Sequence, residues 1–317
     1  MKRFRNWRRR RLALGLPAVA ATTAAVLTIA APGAAVGKGQ GPQLDSSRTK
    51  VGPGAKVELS GQFAAKPSTS AAPAAPAPKP PAQVRIQFKP AGKDHFHQVA
   101  VTGTDKRGRY DKDVKVKRSG HFRAIAADGR ISEPQWVRVK SRTSARLADT
   151  DVNLGDKLKV KGHVAPAIGR RSVVVKVGSD RITTKTNPRG RFVAKWKADE
   201  TGKQKVRVKA RGDEVAAGSK DKAGKATVYR PAEASWYGPG LYGNPMACGG
   251  TLQPDTIGVA NKTLPCGTKL KLRYGHKTVN VSVVDRGPFA GNREFDLTEA
   301  TKNKLGFPDV GTVYSSK

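Results

Sequence analysis
Long stretches of this chain alternate apolar and basic residues one by one. Lys205-Val206-Arg207-Val208-Lys209 and Lys157-Leu158-Lys159-Val160-Lys161 are the plainest cases. A period of two sends successive side chains to opposite faces of an extended strand, so one face is buried and the other is wet. Such segments fold as half-buried strands of antiparallel sheets. With 34 Gly and 21 Pro supplying turns, the expected fold class is all-β.

Two regions read as copies of one unit. Val51-Gly52-Pro53-Gly54-Ala55-Lys56-Val57 parallels Val152-Asn153-Leu154-Gly155-Asp156-Lys157-Leu158, and Asp105-Lys106-Arg107-Gly108-Arg109-Tyr110 parallels Asn187-Pro188-Arg189-Gly190-Arg191-Phe192. Each copy then reaches a glycine, Gly120 or Gly202, ahead of an alternating strand. Six to seven strands per copy predict a pair of small antiparallel sandwiches, over 46–141 and 145–230. In strand order and turns they resemble bacterial immunoglobulin-like domains of exported proteins. The first copy carries an insertion, Ala64–Pro81, with seven Ala and six Pro in 18 residues, a composition that buries no core. Ala34–Ser47 and Ala216–Lys225 read as linkers on the same grounds.

The net charge is +36, which excludes an ordinary cytosolic metabolic enzyme and calls for a polyanionic partner or surface. The first 35 residues redirect that reading. Seven positive charges precede an uncharged Ala/Leu/Val-rich run, Leu12–Ala31, and then Pro32-Gly33-Ala34-Ala35. This is the order of a secretory signal peptide cleaved near Ala35. A retained membrane anchor is the competing reading, which Pro17 and three threonines in the run weaken. Export to the cell wall removes nucleic acid as a partner and limits membrane contact to the leader. Of the remaining charge, +25 lies in 36–229 and only +4 in 230–317. The basic pair is therefore expected to hold the chain to anionic wall polymers: teichoic acids, anionic phospholipid or peptidoglycan carboxylates.

From Ala234 the composition turns to Gly, aromatics and Cys. Ala234-Ser235-Trp236-Tyr237-Gly238, Thr263-Leu264-Pro265-Cys266-Gly267-Thr268, Asp285-Arg286-Gly287-Pro288-Phe289 and Phe295-Asp296-Leu297-Thr298 follow in order. Lys269–Tyr274 and Lys277–Val284 alternate around Gly275-His276 as a hairpin, and Thr298 caps a short helix that stops at Gly306. In this order the motifs resemble the double-psi β-barrel of the rare lipoprotein A family, septal lytic transglycosylases whose barrel is similar to the first domain of expansins. The resemblance covers 233–317 and implies a six-stranded barrel that acts on peptidoglycan.

The chemistry such a barrel needs is modest. Hydrolytic glycosidases usually use two carboxyl groups. A lytic transglycosylase manages with one, because the muramyl 6-hydroxyl of the substrate attacks the anomeric carbon. The single acid protonates the glycosidic oxygen and then accepts the hydroxyl proton, so it must enter protonated. Asp285 is the candidate; a turn-capping role before Arg286-Gly287 is its structural alternative. Ser235, Asn261, Arg286 and Asp296, at motif positions of the resemblance, are candidate substrate-binding residues. Trp236 and Tyr237 join them as rings that could stack on sugar faces or pack the barrel, and alternation assigns one of the pair to each role.

Two positions depart from the family pattern. Its Glu position is Gly250 and its His position is Asn261, with the 11-residue separation kept. Two outcomes follow. Either the barrel cleaves glycan with Asp285 alone, or it is an expansin-like binding and wall-loosening module using Ser235, Asp285 and Asp296. Asp255 and Glu294 are the carboxyls available as replacements. Cys248 and Cys266 bracket the altered positions and are expected to pair, since exported domains oxidise such pairs; a nucleophilic thiol lacks a companion His. No metal or cofactor is expected: His95, His97, His121 and His163 lie on the sandwiches without acidic partners at ligand spacing.

Overall fold
A computed structural model describes residues 43–63 and 82–317; the expected signal peptide and the Ala64–Pro81 insertion lie outside them. The described chain is β apart from one short helix. Its first eight strands are β1 (Asp45–Ser46), β2 (Lys50–Val51), β3 (Ala55–Gln62), β4 (Gln83–Pro90), β5 (His97–Gly103), β6 (Arg109–Val116), β7 (Gly120–Ala126) and β8 (Gln135–Val139). The next eight are β9 (Arg142–Leu147), β10 (Asp151–Asn153), β11 (Lys157–Ala165), β12 (Ser172–Val177), β13 (Asp180–Lys185), β14 (Arg191–Lys197), β15 (Gly202–Ala210) and β16 (Ser219–Tyr237).

These sixteen strands repeat one topology. In the first set, β1-β3-β6 faces β2-β8-β7-β4-β5. In the second, β9-β11-β14 and β10-β16-β15-β12-β13 occupy the same positions strand for strand. Both second sheets begin with a parallel pair, β2 with β8 and β10 with β16. Each sandwich closes over its own Val-rich core, one centred on Val57, Leu59, Ile86 and Val137, the other on Leu158, Val160, Val175 and Val208. The matching turns also share their chemistry. Asp105 Oδ1 accepts the amides of Arg107 and Arg109 at 2.8 and 2.9 Å; Asn187 Oδ1 accepts those of Arg189 and Arg191, both at 3.0 Å. A short side-chain acceptor at the first position of each turn fixes the reversal.

The strand count of each copy is eight rather than six or seven, because β1 and β10 are too short to show a period. The linkers also need correcting. Asp45–Ser46, within the expected Ala34–Ser47 linker, pairs with β3. Ser219–Lys225, within the expected Ala216–Lys225 linker, is the start of β16 and pairs with β15. Its Gly and Lys content reflects an exposed strand rather than a mobile tether.

The 19-residue β16 runs without a break out of the second sandwich and into the third core. There it meets β17 (Val259–Asn261), β18 (Lys269–Tyr274), β19 (Lys277–Asp285), β20 (Phe295–Thr298), α1 (Glu299–Leu305) and β21 (Gly311–Ser315). The order β16-β20-β17-β19-β18-β21 closes through a β16–β21 pairing into a six-stranded double-psi barrel. Val259, Leu272, Val283, Phe295, Leu297 and Val313 fill it. A two-residue turn at Gly275-His276 joins β18 to β19, and α1 ends on Gly306 at φ 64°. Thr298 stands at the helix N-cap, but its hydroxyl donates to Thr256 O at 2.6 Å instead of capping.

Side chains lock the junction between second sandwich and barrel. The guanidinium of Arg273 lies between the rings of Tyr229 and Tyr314, at 4.7 and 4.9 Å, and donates to Asn153. The fully buried Tyr229 donates to Asp151 at 2.7 Å, and Lys271 reaches the same carboxylate at 3.4 Å.

Candidate functional site
The candidate residues gather on the face of the barrel sheet opposite its core. On β16, Ala232 and Ala234 point inward, so Ser235 and Tyr237 share the other face. On β20, Phe295 and Leu297 point inward and Asp296 outward. Across the sheet, Ser235 stands opposite Asp296, Asp296 opposite Ala260, and Ala260 opposite Asp285. Four adjacent strands thus carry one lateral row: Ser235, Asp296, Ala260, Asp285.

Asp285 joins this row only because β19 is irregular. Regular alternation would send it to the core side with Val281 and Val283. The β17–β19 register slips by one between Val259 and Ala260, so Val283 pairs with Val259 and Asp285 with Ala260. The extra residue, Val284, turns the carboxylate outward, the usual use of a bulge beside a site.

Asp285 is half-buried, and its Oδ1 accepts the amides of Ala247 and Arg286, both at 2.8 Å. The turn-capping role is therefore real, and it leaves Oδ2 for another partner. The Ser235 hydroxyl donates to Asp296, fixing that carboxylate. The Tyr237 hydroxyl is buried and, among the described residues, makes no hydrogen bond; it faces Asp285 but falls short of bonding geometry. Burial, then the charges of Asp285 and Asp296, push its ionisation above the usual tyrosine range. It stays a neutral hydroxyl on the face that carries both carboxylates.

The loops around the row are tied down. Cys248 and Cys266 form a disulfide with Cα atoms 5.4 Å apart, joining the loop that carries Ala247 to the Thr263–Thr268 turn. Arg286 donates to Asn261 O at 3.1 Å, Leu264 O at 2.9 Å and Cys266 Sγ at 3.1 Å, so it clamps that turn from below.

Other candidates sit elsewhere. Asn261, expected among the substrate-binding residues, faces inward with Val259 and is 2% exposed. Its amide nitrogen donates to Glu294 O at 3.0 Å and its oxygen accepts the amides of Thr263 and Leu264, so it holds the turn. Trp236 packs toward the core, with its Nε1 on Asp309 at 2.8 Å and Lys302 over its ring at 3.8 Å. Of the aromatic pair, Tyr237 is the one on the site face. Glu294 is gripped bidentately by Arg230 at 2.5 and 2.7 Å, and Asp255 is exposed on a loop. At position 250 the chain turns with φ +76°, which glycine adopts without strain. Phe289, unremarked by spacing or charge, is 84% exposed beside the row, its ring folded over Gly287. Its place directly after Asp285-Arg286-Gly287-Pro288 was the available signal. No cluster of three or more His, Cys, Asp or Glu among the described residues is placed to hold a metal ion.

Comparison with known proteins fits this geometry. Residues 230–315 match the protein family described as Lytic transglycolase. The endolytic peptidoglycan transglycosylase RlpA of Campylobacter jejuni is 40% identical over 82 residues, covering 25% of this chain and 30% of the relative. Its counterpart in Neisseria meningitidis is 36% identical over 91 residues (28% and 38%), and that of Pseudomonas aeruginosa 38% over 91 (28% and 27%). The chain thus spans well under half the length of these relatives. Among solved structures, the Yersinia pseudotuberculosis adhesin InvE overlaps 59% of this chain and 58% of its own, at 9% identity and a TM-score of 0.33. Over residues 230–315, the chain is similar to the rare lipoprotein A family of peptidoglycan lytic transglycosylases.

Proposed function
We propose that the barrel binds peptidoglycan glycan strands and cleaves them by lytic transglycosylation, with Asp285 as the acid and base. The observation that carries this reading is the row itself: two carboxylates on either side of Ala260, with Tyr237 on the same face. Asp285 gives its proton to the glycosidic oxygen as the C1–O bond breaks. The muramyl 6-hydroxyl then bonds to C1, closing a 1,6-anhydro ring, and its proton returns to Asp285. No water is consumed, so no second carboxylate has to activate one. Asp296, held by Ser235, and the Tyr237 hydroxyl orient the sugar, and Phe289 offers an exposed ring for a sugar face to stack on.

A second reading rests on Gly250. The left-handed turn there is unsuited to the family's Glu, which leaves an expansin-like module that binds and loosens glycan without cutting it. Either way the chain works outside the cytoplasm, as its disulfide and leader suggest, and the basic sandwiches retain it at anionic wall polymers. The test is direct. Purified glycan strands incubated with the full chain yield 1,6-anhydromuramyl ends by mass spectrometry if it cleaves, and bound but intact strands if it only binds.

A further inference from the structure
The outer face of β13-β12-β15-β16 is a cationic lattice. Arg181 stands opposite Lys176, Lys176 opposite Arg207, and Arg207 opposite Lys222. One row of four positive charges therefore crosses four strands, at about 4.8 Å per step. Beside it lie two further opposed pairs, Lys209 with Lys220 and Lys205 with Lys225. Along β15, Lys203, Lys205, Arg207 and Lys209 recur every second residue, about 6.8 Å apart.

Nothing on the face offsets them. Every exposed ionisable residue on it is Lys or Arg. The two acids in the sandwich part of these strands point the other way, Asp180 to Trp196 Nε1 at 2.7 Å and Asp221 to the Ala145 amide at 2.7 Å; Glu233, further along β16, belongs to the barrel. None of the face's cations forms an ion pair among the described residues. Like charges directly opposite one another on adjacent strands destabilise a sheet. The fold therefore carries a standing repulsion that a bound polyanion would relieve.

The first sandwich provides an internal comparison, since β5-β4-β7-β8 occupies the same place in its topology. There Arg123 donates to Gln87 at 2.9 Å and stacks on Phe96 at 4.0 Å, and His121 packs on Trp136 at 4.6 Å. That face sets aromatic rings among its cations. The lattice belongs to the second copy alone.

We propose that this face is a docking surface for a linear, flexible phosphodiester polymer. It sharpens the retention reading given above and rests on it. Three features select this ligand. The face carries no aromatic ring, so it offers bases nothing to stack on, unlike surfaces built for single-stranded nucleic acid. Its cations are mostly lysines, mobile point charges suited to a flexible chain of phosphates rather than to one bidentate partner. Their spacing along β15 is of the order of a short phosphodiester repeat, closer than the carboxylates of successive wall disaccharides. Because β16 continues into the barrel, Lys220, Lys222 and Lys225 share one rigid strand with Ser235 and Tyr237. A polymer held on this face keeps the site within about 35 Å of it.

The experiment is cosedimentation of the full chain with cell-wall sacculi, intact or stripped of phosphodiesters with hydrofluoric acid, over a salt series. Stripping should lower the affinity about tenfold or more. The triple reversal Lys176→Glu, Arg207→Glu, Lys222→Glu should bind intact sacculi only as well as parent binds stripped ones. A charge-matched reversal on the first sandwich, Lys106→Glu, Lys115→Glu, Lys117→Glu, should retain most of the binding. The face variant should melt at or above the parent temperature, since it breaks up a like-charge row. If both triples lose binding equally, retention stands and this face is not its site. If stripping changes nothing, the phosphodiester ligand is overturned, and retention passes to the peptidoglycan carboxylates. A single-stranded oligonucleotide of equal charge displacing the polymer at lower concentration would overturn the ligand in favour of nucleic acid. None of these outcomes bears on cleavage by the barrel.

Discussion
Asp285 and Asp296 flank the same residue: both pair with Ala260, one from each neighbouring strand. Their backbones lie two strand spacings apart, about 10 Å. The two carboxylates are not equivalent, because Ser235 binds Asp296 while Asp285 takes two backbone amides. Asp296→Asn should therefore weaken glycan binding several-fold while leaving some turnover, and Asp285→Asn should remove turnover and spare binding. Separate measurement of KM and kcat distinguishes the two.

Phe289 projects into solvent at 84% exposure, so its removal costs the fold little. Phe289→Ala should raise the dissociation constant for glycan strands about fivefold to tenfold, with an unchanged melting temperature. Equal binding by the variant would remove the ring from the site.

Glu294 lies in the same barrel but is bound bidentately by Arg230, each side chain 33% exposed. Glu294→Gln should cost about 1 kcal/mol of stability by denaturant titration and leave turnover at the parent level. Loss of turnover without loss of stability would make Glu294 the missing carboxyl.

The disulfide closes an 18-residue separation and holds the loop that gives the Ala247 amide to Asp285. Replacing both cysteines by serine should cost on the order of 3 kcal/mol of barrel stability. Turnover should fall further than the folded fraction, because Asp285 loses a fixed donor.

Alkaline pH should unfold the chain through its buried tyrosines. Burial raises the ionisation of Tyr110, Tyr229 and Tyr237 above the usual range; nearby Asp45, Asp151 and Asp285 respectively add to it. A raised folded-state value favours the neutral form, so stability is full below the unfolded tyrosine pKa of about 10 and falls as pH rises beyond it. Absorbance at 295 nm should show these three ionising only as the far-ultraviolet circular dichroism is lost.

Much of this architecture could be read from residues alone. Alternation marked strands such as the one around Lys205–Lys209, and the paired Asp105 and Asn187 turns revealed the repeat because a turn's chemistry is local. The motif order pointed to the barrel, and the cysteines to their bond. What escaped depends on register. Nothing local marks Val284 as the extra residue that turns Asp285 outward, since its bulge arises from pairing with a strand 25 residues earlier. Likewise Ser219–Lys225 reads as a linker by composition and becomes a strand only because β15 lies beside it. Asn261 was expected on the site face, yet alternation from Val259 puts it inside once the short β17 is known to be a strand.

The central claim is that Asp285 alone carries both proton transfers. It is tested most directly by digesting purified glycan strands with the parent chain and with Asp285→Asn, and quantifying 1,6-anhydromuramyl ends by mass spectrometry. The expected result is anhydro product from the parent and a loss of at least about 100-fold in the variant, with glycan binding retained. Equal product from both, or none from a parent that binds glycan, would contradict it.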